Sequence, residues 1–297
     1  MKYLLTGGTG LIGSRLVPEL LNAGHEVIVL TRKAKASGHP NLRYVAWNGK
    51  EIDPQLGPVD VVINLAGAGV ADHKWTAAYK KEILDSRVNA TSACVKFIQA
   101  QTTKPKVFVS ASAVGYYGTQ QSGVLDETAP AGNDFLAYTG MAWEQAAQGA
   151  GVRTVILRTG VVMAHEGGAF PKLLAPFKLY AGGYLGDGKQ GLPWIHITDV
   201  LRIIHFVIEQ EAIEGPVNLA APEQLSNRDW ARVMGKALNR GSGLPVPAFS
   251  VKLLMGESAV IVLEGAFIRP AKLLAAGFQF TYPTAAEAVK ELLAHGG

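Results

Sequence analysis

The chain has 297 residues and a formal charge of +4 at pH 7, and this length is enough for one large α/β domain and a smaller lobe. No basic cluster is longer than a pair, no apolar run reaches the roughly 20 residues of a membrane helix, and no signal peptide precedes the first predicted strand, so neither nucleic acid nor a membrane is an expected partner. Cys94 is the single cysteine and excludes an internal disulfide, and together these features predict a cytoplasmic protein.

The first 13 residues contain the strongest functional signal. The apolar run 3–5 predicts a strand, a glycine turn follows over residues 7–13, and the amphipathic pattern after it predicts a helix. Strand, glycine turn and helix are the context of a dinucleotide-binding fingerprint. We expect Gly7 to allow a tight turn, Gly10 to let the backbone approach a pyrophosphate, and Gly13 to let the helix pack near the strand. The alternative is an ordinary turn between a strand and a helix.

The end of the second predicted strand, residues 27–30, indicates which dinucleotide binds. A Rossmann strand carries an acidic residue at this place when the cofactor is NAD, because a carboxylate accepts a hydrogen bond from the ribose 2′-hydroxyl. Here the chain continues with Thr31, Arg32 and Lys33 and has no acid. Arg32 can bind a phosphate through two parallel hydrogen bonds, so the sequence predicts NADP(H). The alternative is that Arg32 and Lys33 are solvated loop residues.

Predicted strands and helices alternate as far as residue 158, which is typical of an α/β fold. Further strands are predicted at 42–47, 60–67, 106–110 and 153–158, and helices at 75–102 and 134–150. The small-residue turn at Leu65 and Ala66 would let the backbone approach an adenosine, or it is a simple turn at the end of a strand.

Glycine-rich loops from about residue 163 predict lid insertions that close over a ligand. This segment contains Tyr180, Tyr184 and Trp194. They form either a stacking wall for a sugar or aromatic ring, or ordinary packing within the lid. The chain from residue 245 is predicted to be mostly helical. We therefore predict a nucleotide-binding domain over 1–244 and a small C-terminal domain over 245–297.

Motifs spread over nearly the whole chain carry a family resemblance. They are TGGTGLIG at 6–13, NLAG at 64–67, SR at 86–87, SASAVGYYG at 110–118, WE at 143–144, RTGVV at 158–162, WIHITD at 194–199 and GFQFTYP at 277–283. In combination they resemble the short-chain dehydrogenase/reductase superfamily. Within its atypical, extended branch they resemble the "epimerase family" proteins related to nucleoside-diphosphate-sugar epimerases, which end in a short domain of unknown function. The resemblance implies a Rossmann-like doubly wound parallel sheet with a smaller C-terminal substrate lobe.

The resemblance also implies NADP(H) bound across the strand ends. The predicted cofactor contacts are Gly7, Thr9, Gly10, Leu11, Ile12, Gly13, Arg32, Leu65, Ala66, Glu82, Arg87 and Val162. The glycines and Arg32 follow from the residues themselves, whereas Glu82 and Arg87 come from the resemblance alone. Many relatives pair through the helices after the fourth and fifth strands, which implies a homodimer.

The superfamily's chemistry uses a tyrosine, a lysine four residues further on, and an upstream serine or threonine. Ser112 stands at the serine place, and its alternative role is that of a turn hydroxyl. The tyrosine–lysine pair is missing from this chain. The residue four positions after Tyr138 is Ala142, and alignment on the later Trp-Glu motif puts the pair on Leu136 and Gly140.

Two hypotheses follow for the function. The first is an NADP(H)-dependent oxidoreductase or epimerase that acts on a small carbonyl or hydroxyl substrate, with a nucleotide sugar as one candidate. Tyr116 or Tyr117 then replaces the missing proton donor, unless both pack in the interior. The second is a non-catalytic NADP(H)-binding redox sensor or regulator. His196 is a structural residue in related epimerases and a weaker catalytic candidate, and the histidines form no metal-binding pattern.

Overall fold

The computed structural model of the protein describes residues 1–33, 35–119 and 123–294. In chain order its strands are β1 (Lys2–Thr6), β2 (Glu26–Thr31), β3 (Leu42–Ala46), β4 (Val61–Asn64), β5 (Val107–Ala113), β6 (Val124–Leu125), β7 (Thr154–Thr159), β8 (Val161–Ala164), β9 (Gly167–Gly168), β10 (Gly183–Leu185), β11 (Trp194–His196), β12 (Gly215–Leu219), β13 (Leu244–Val246) and β14 (Phe267–Ile268). Its helices are α1 (Gly13–Asn22), α2 (Ala77–Ala100), α3 (Phe135–Ala147), α4 (Phe170–Lys178), α5 (Ile197–Glu209), α6 (Asn227–Ala237), α7 (Ala248–Met255), α8 (Val260–Leu263), α9 (Ala271–Ala275) and α10 (Ala285–Ala294). Among these residues no helix combines the length and the apolar character needed to cross a membrane.

The central sheet has seven strands in the order β12–β7–β5–β4–β1–β2–β3, and every neighbouring pair is parallel. From β1 the chain builds the sheet outwards through β2 and β3, then returns to the other side of β1 and continues outwards from β4. The strand order therefore reverses between β1 and β4, which is where doubly wound sheets open a crevice for a ligand. The predicted Rossmann-like α/β fold is confirmed.

Helices cover both faces of the sheet, and the side chains of the strands alternate between them. Leu5 and Val29 belong to the core under α1 and α5, whereas the preceding residues Leu4 and Ile28 belong to the core under α2 and α3. Successive side chains of a strand point to opposite faces, so a strand that is covered on both faces is apolar at every position. For this reason the continuous apolar runs predicted the central strands.

Side-chain caps fix the beginnings of three helices. Asp134 caps α3 and Ser226 caps α6, because each accepts a hydrogen bond from a backbone N–H in the first helical turn. The start of α3 agrees with the sequence analysis. The long helix begins later than predicted, after Trp75, because the hydroxyl of Thr76 caps it by accepting from the N–H of Tyr79.

The C-terminal residues share their packing with the rest of the chain. Strand β13 pairs with β10 and β14 pairs with β6, while α10 packs in the same core cluster as Trp194 and Trp230. The indole of Trp194 is fully buried, and its ring centroid lies 5.5 Å from that of Trp230. A stacking wall that includes Trp194 is therefore wrong, since this side chain fills the interior beneath the lid.

His196, at the end of β11, connects the small sheet of β11, β8 and β9 to the last helix. Its Nδ1 accepts a hydrogen bond from the N–H of Thr198 at 3.2 Å, and its Nε2 lies 2.8 Å from a carboxylate oxygen of Glu291 in α10. The ring is buried, and its centroid lies 4.1 Å from that of Tyr282. These contacts agree with the structural role that the sequence analysis favours for this histidine.

Acidification should weaken the fold through His196. Burial lowers the pKa of His196 below 6.5, and the nearby Glu291 carboxylate offsets part of that change. The unfolded chain then takes up a proton at a higher pH than the native chain does. The free energy of unfolding should therefore fall as the pH drops below 6.5, by up to about 1.4 kcal/mol per pH unit until the native pKa is reached. Urea unfolding between pH 7.5 and 5.5 should show a smaller decrease for His196→Gln, and an equal decrease would contradict this account.

Candidate functional site

The turn between β1 and α1 is built on glycines that no other residue could replace. Gly7 has a φ of +68°, which favours glycine, and a Cβ at this position would lie 2.6 Å from the carbonyl carbon of Leu65. A Cβ at Gly13 would overlap the backbone of Gly7 and Gly8, so the helix can start close to the turn only without a side chain. The turn therefore packs directly against the segment that follows β4.

Gly10 differs from these two glycines because its outer side is open. A Cβ there would meet only the carbonyl oxygen of Gly7, at 3.3 Å. The helix behind it begins without a side-chain cap and has no acidic residue in its first turn. Unpaired N–H groups and the positive end of the helix dipole then face an open space, which is the arrangement that binds phosphate.

A cleft of about 1170 Å³ runs along the carboxyl ends of β1, β2, β3 and β4. Seven of the predicted cofactor contacts line this cleft, namely Gly7, Thr9, Gly10, Arg32, Leu65, Ala66 and Glu82. The glycine turn forms one part of its wall and α2 forms another, through Tyr79 and Glu82. Its place at the reversal of strand order and its volume both suit a dinucleotide.

Five predicted contacts lie outside this cleft: Leu11, Ile12, Gly13, Arg87 and Val162. The side chain of Leu11 packs so closely under β9 that a Cβ at Gly168 would lie 3.0 Å from it. Val162 lies in β8, the partner strand of β9. An ion pair between Arg15 and Glu166 joins the β8–β9 hairpin to α1. Leu11 and Val162 thus meet where this hairpin covers the start of the helix.

Arg87 supports the loop that follows β4. Its guanidinium donates to the carbonyl oxygen of Ala68 at 2.9 Å and to that of Ile83 at 3.0 Å, and it lies 4.9 Å from the ring centroid of Trp143. Burial lowers the pKa of Arg87 to about 10. A half-buried cation without a carboxylate partner in the described ranges is suited to an anionic ligand.

A buried polar chain beneath the turn is missing from the sequence predictions. The hydroxyl of Thr6 donates to Asn64 Oδ1 at 2.6 Å, and Asn64 Nδ2 donates to the hydroxyl of Thr91 at 2.8 Å. Thr91 in turn donates to the carbonyl oxygen of Arg87 at 2.8 Å. This chain of hydrogen bonds ties β1, β4 and α2 together. In the sequence, only Thr6 and Asn64, the polar residues that follow two apolar runs, point to these hydrogen bonds.

Ser112 lies at the carboxyl end of β5 and is part of a buried charged cluster. Its hydroxyl donates to Glu144 Oε1 at 2.8 Å, and the same carboxylate receives two hydrogen bonds from Arg158, each at 2.8 Å. Although burial opposes it, the hydrogen bonds and the charge of Glu144 raise the pKa of Arg158 above its ordinary value. Glu144 and Arg158 were visible in the sequence only as members of the family motifs.

Tyr117 belongs to the same cluster. Its hydroxyl donates to Asn218 Oδ1 at 2.7 Å and accepts from Arg158 at 2.9 Å, and the side chain is fully buried. Burial raises the pKa of Tyr117, and Arg158 offsets part of that change. The hydroxyl is therefore engaged by the interior of the protein.

Tyr116 packs against Gly140, one of the two positions that the alignments give for the missing lysine. A Cβ at Gly140 would lie 3.0 Å from the Cα of Tyr116, so a longer side chain at position 140 would displace the turn that carries this tyrosine. The guanidinium carbon of Arg158 lies 3.5 Å from the centroid of the Tyr116 ring. Leu136 packs against Gly115, and Tyr138 of the same helix is 58% exposed. No group of side chains that could hold a metal ion occurs in the described ranges.

Comparisons with known proteins show the family of the chain. The model of the NAD dependent epimerase/dehydratase family matches residues 3–220, and that of a domain of unknown function matches residues 246–292. The chain belongs to this family. The epimerase family protein YfhF of Bacillus subtilis is 37% identical over 300 residues, which cover 99% of this chain and 98% of that protein. The family resemblance inferred from the motifs is confirmed.

Solved structures agree with this assignment. The crystal structure of human epimerase family protein SDR39U1 with NADPH matches with a TM-score of 0.89 and 33% identity, and the match covers 99% of each chain. UDP-glucuronic acid 4-epimerase from Bacillus cereus, solved with UDP-glucuronic acid and NAD, matches with a TM-score of 0.77 over 99% of each chain. At 19% identity, the second match shows a shared fold alone.

Breaking the buried ion pair should destabilise the fold. The side chains of Arg158 and Glu144 are only 4% and 8% exposed, so Glu144→Gln leaves a buried guanidinium without its counter-charge. We expect a loss of about 3–5 kcal/mol in the free energy of unfolding, measured by urea denaturation. Glu166→Gln is the matched control, because its ion pair with Arg15 is exposed and should contribute less than about 1 kcal/mol. Equal losses in the two variants would contradict the structural role of the Glu144–Arg158 pair.

Proposed function

We propose that this protein is an NADP(H)-dependent oxidoreductase of the short-chain dehydrogenase/reductase type that acts on a small carbonyl or hydroxyl substrate. The observation that carries the proposal is the position of Arg32. This cation lines the cleft just after β2, where an NAD-specific site needs a carboxylate, and no carboxylate in the described ranges pairs with it. The NADPH in the human SDR39U1 structure supports the same cofactor here.

The residues around the cleft fit the parts of such a cofactor. The open side of Gly10 and the start of α1 would hold the pyrophosphate, and Arg32 would hold the 2′-phosphate. Leu65 and Ala66 present backbone at the adenosine side. The nicotinamide would then extend along the same edge of the sheet towards the end of β5, which carries Ser112.

The bound cofactor would supply a hydride, and the protein must supply a proton to the oxygen of the substrate. We assign this role to Tyr116, because the hydroxyl of Tyr117 is engaged by Asn218 and Arg158. The guanidinium carbon of Arg158 lies 3.5 Å from the centroid of the Tyr116 ring and holds this side chain at the end of β5. Ser112 donates its own proton to Glu144, so its oxygen can accept a hydrogen bond from a substrate hydroxyl.

Loss of the Tyr116 hydroxyl should slow hydride transfer without weakening cofactor binding. We expect Tyr116→Phe to lower the rate of NADPH oxidation by about 10²–10⁴-fold with a panel of aldehydes, ketones and nucleotide sugars. The dissociation constant for NADPH should not change. Tyr138→Phe is the control, because this exposed tyrosine of α3 should have no effect on the rate. Equal rates for wild type and Tyr116→Phe would remove Tyr116 from the reaction.

A second function is favoured by a specific observation. One alignment puts the missing tyrosine and lysine at Leu136 and Gly140, and a side chain at position 140 would meet Tyr116. A cofactor-binding protein without catalysis, such as a redox sensor, is compatible with this arrangement. Wild-type protein that binds NADPH but oxidises none of it with any member of the panel would favour the sensor over the oxidoreductase. A homodimer and a cytoplasmic location stay predictions of the sequence.

A further inference from the structure

The end of β3 lies directly beside the end of β2 and brings a second loop into the cleft. Thr31 is paired with Ala46, and the N–H of Trp47 donates to the carbonyl oxygen of Thr31 at 3.0 Å. The ladder therefore continues one residue beyond β3. Neighbouring strands are about 4.8 Å apart, so the chain from Trp47 onwards begins next to Arg32.

This segment, Trp47 to Lys50, is a built turn; we refer to it as the 47–50 loop. The side-chain oxygen of Asn48 accepts from the N–H of Lys50 at 2.8 Å and from that of Glu51 at 3.0 Å. Gly49 has a φ of +81°, which favours glycine. All four residues of the loop line the same cleft as Arg32. The fold thus holds the backbone of Lys50 at the wall of the site.

The charges of the cleft are unevenly distributed. Its acidic side chains belong to α2 and the loop before it: Asp72, Glu82 and Asp85. Asp85 is already paired with Lys81. In the part of the chain that the structure describes, neither Arg32 nor Lys50 has a carboxylate partner. Two cations from adjacent strand ends therefore line the same cleft, and no carboxylate of the described residues pairs with either of them.

Trp47 adds an aromatic surface to the same end. Its side chain packs against the core between the sheet and α2, and it also lines the cleft. An indole that is supported by the core on one side offers a rigid surface on which a purine ring can stack.

We infer that the 47–50 loop is the second half of the subsite for the 2′-phosphoadenosine end of the cofactor. Lys50 binds the 2′-phosphate together with Arg32, and Trp47 stacks on the adenine. This inference rests on the proposed function. It attributes the preference for NADPH over NADH to two cations, Arg32 after β2 and Lys50 after β3.

Dissociation constants for NADPH and NADH, measured by calorimetry, test this inference. Lys50→Ala should weaken NADPH binding about tenfold and leave NADH binding unchanged, because only NADPH carries the 2′-phosphate. Trp47→Leu should weaken the binding of both cofactors by the same factor, since both carry adenine. Lys33→Ala is the matched control, because Lys33 is an exposed neighbour of Arg32 that does not line the cleft.

The outcomes separate this inference from the proposed function. Wild-type protein that prefers NADPH, combined with a Lys50→Ala effect no larger than that of Lys33→Ala, would overturn the role of Lys50 and leave the proposed function intact. The same holds if Lys50→Ala weakens the binding of NADPH and NADH equally. Unchanged binding by Trp47→Leu would overturn the stacking role. Wild-type protein that does not bind NADPH would overturn both the inference and the proposed function.

Discussion

The close approach of two chain segments at the ends of β1 and β4 is the constraint on which the site depends. The turn at Gly7 lies against the backbone of Leu65 and Ala66, and Thr6 donates to Asn64 directly beneath this contact. A side chain at position 7 would push the two segments apart. Because the chain leaves this point in opposite directions along the sheet, a crevice opens above the contact, and the start of α1 points into it. The cations at the ends of β2 and β3 are placed relative to the same crevice.

Backbone atoms form one half of the candidate site, and side chains form the other. The cofactor half is made largely of backbone, through the glycine turn and the start of a helix, and it retains every feature that phosphate binding needs. The other half is made of side chains around the buried pair Glu144–Arg158, which joins β5, α3 and β7. That half carries Ser112, but neither alignment of α3 gives it the tyrosine–lysine pair of the superfamily. The family fold is thus kept, whereas the tyrosine–lysine pair is absent.

Local rules explain what could be predicted from the sequence. Apolar runs indicated the central strands, Asp134 marked the start of a helix, and the residues around Arg32 indicated the charge at the end of β2. What was missed depends on contacts between distant parts of the chain. Arg158 lies within an apolar strand, and only its pairing with Glu144 explains it. The sequence analysis placed Trp194 in a lid because the segment around it is rich in glycine. A local sequence pattern does not predict the buried core cluster to which this side chain belongs.

Binding of NADPH to a Gly10→Ala variant, measured by calorimetry beside the wild type, tests the central claim most directly. A methyl group there meets only the carbonyl oxygen of Gly7, at 3.3 Å, so the variant should fold with nearly the same unfolding temperature. It should nevertheless bind NADPH at least about tenfold more weakly, because the methyl group enters the space assigned to the pyrophosphate. A folded variant with wild-type affinity would contradict the account and place the phosphates elsewhere.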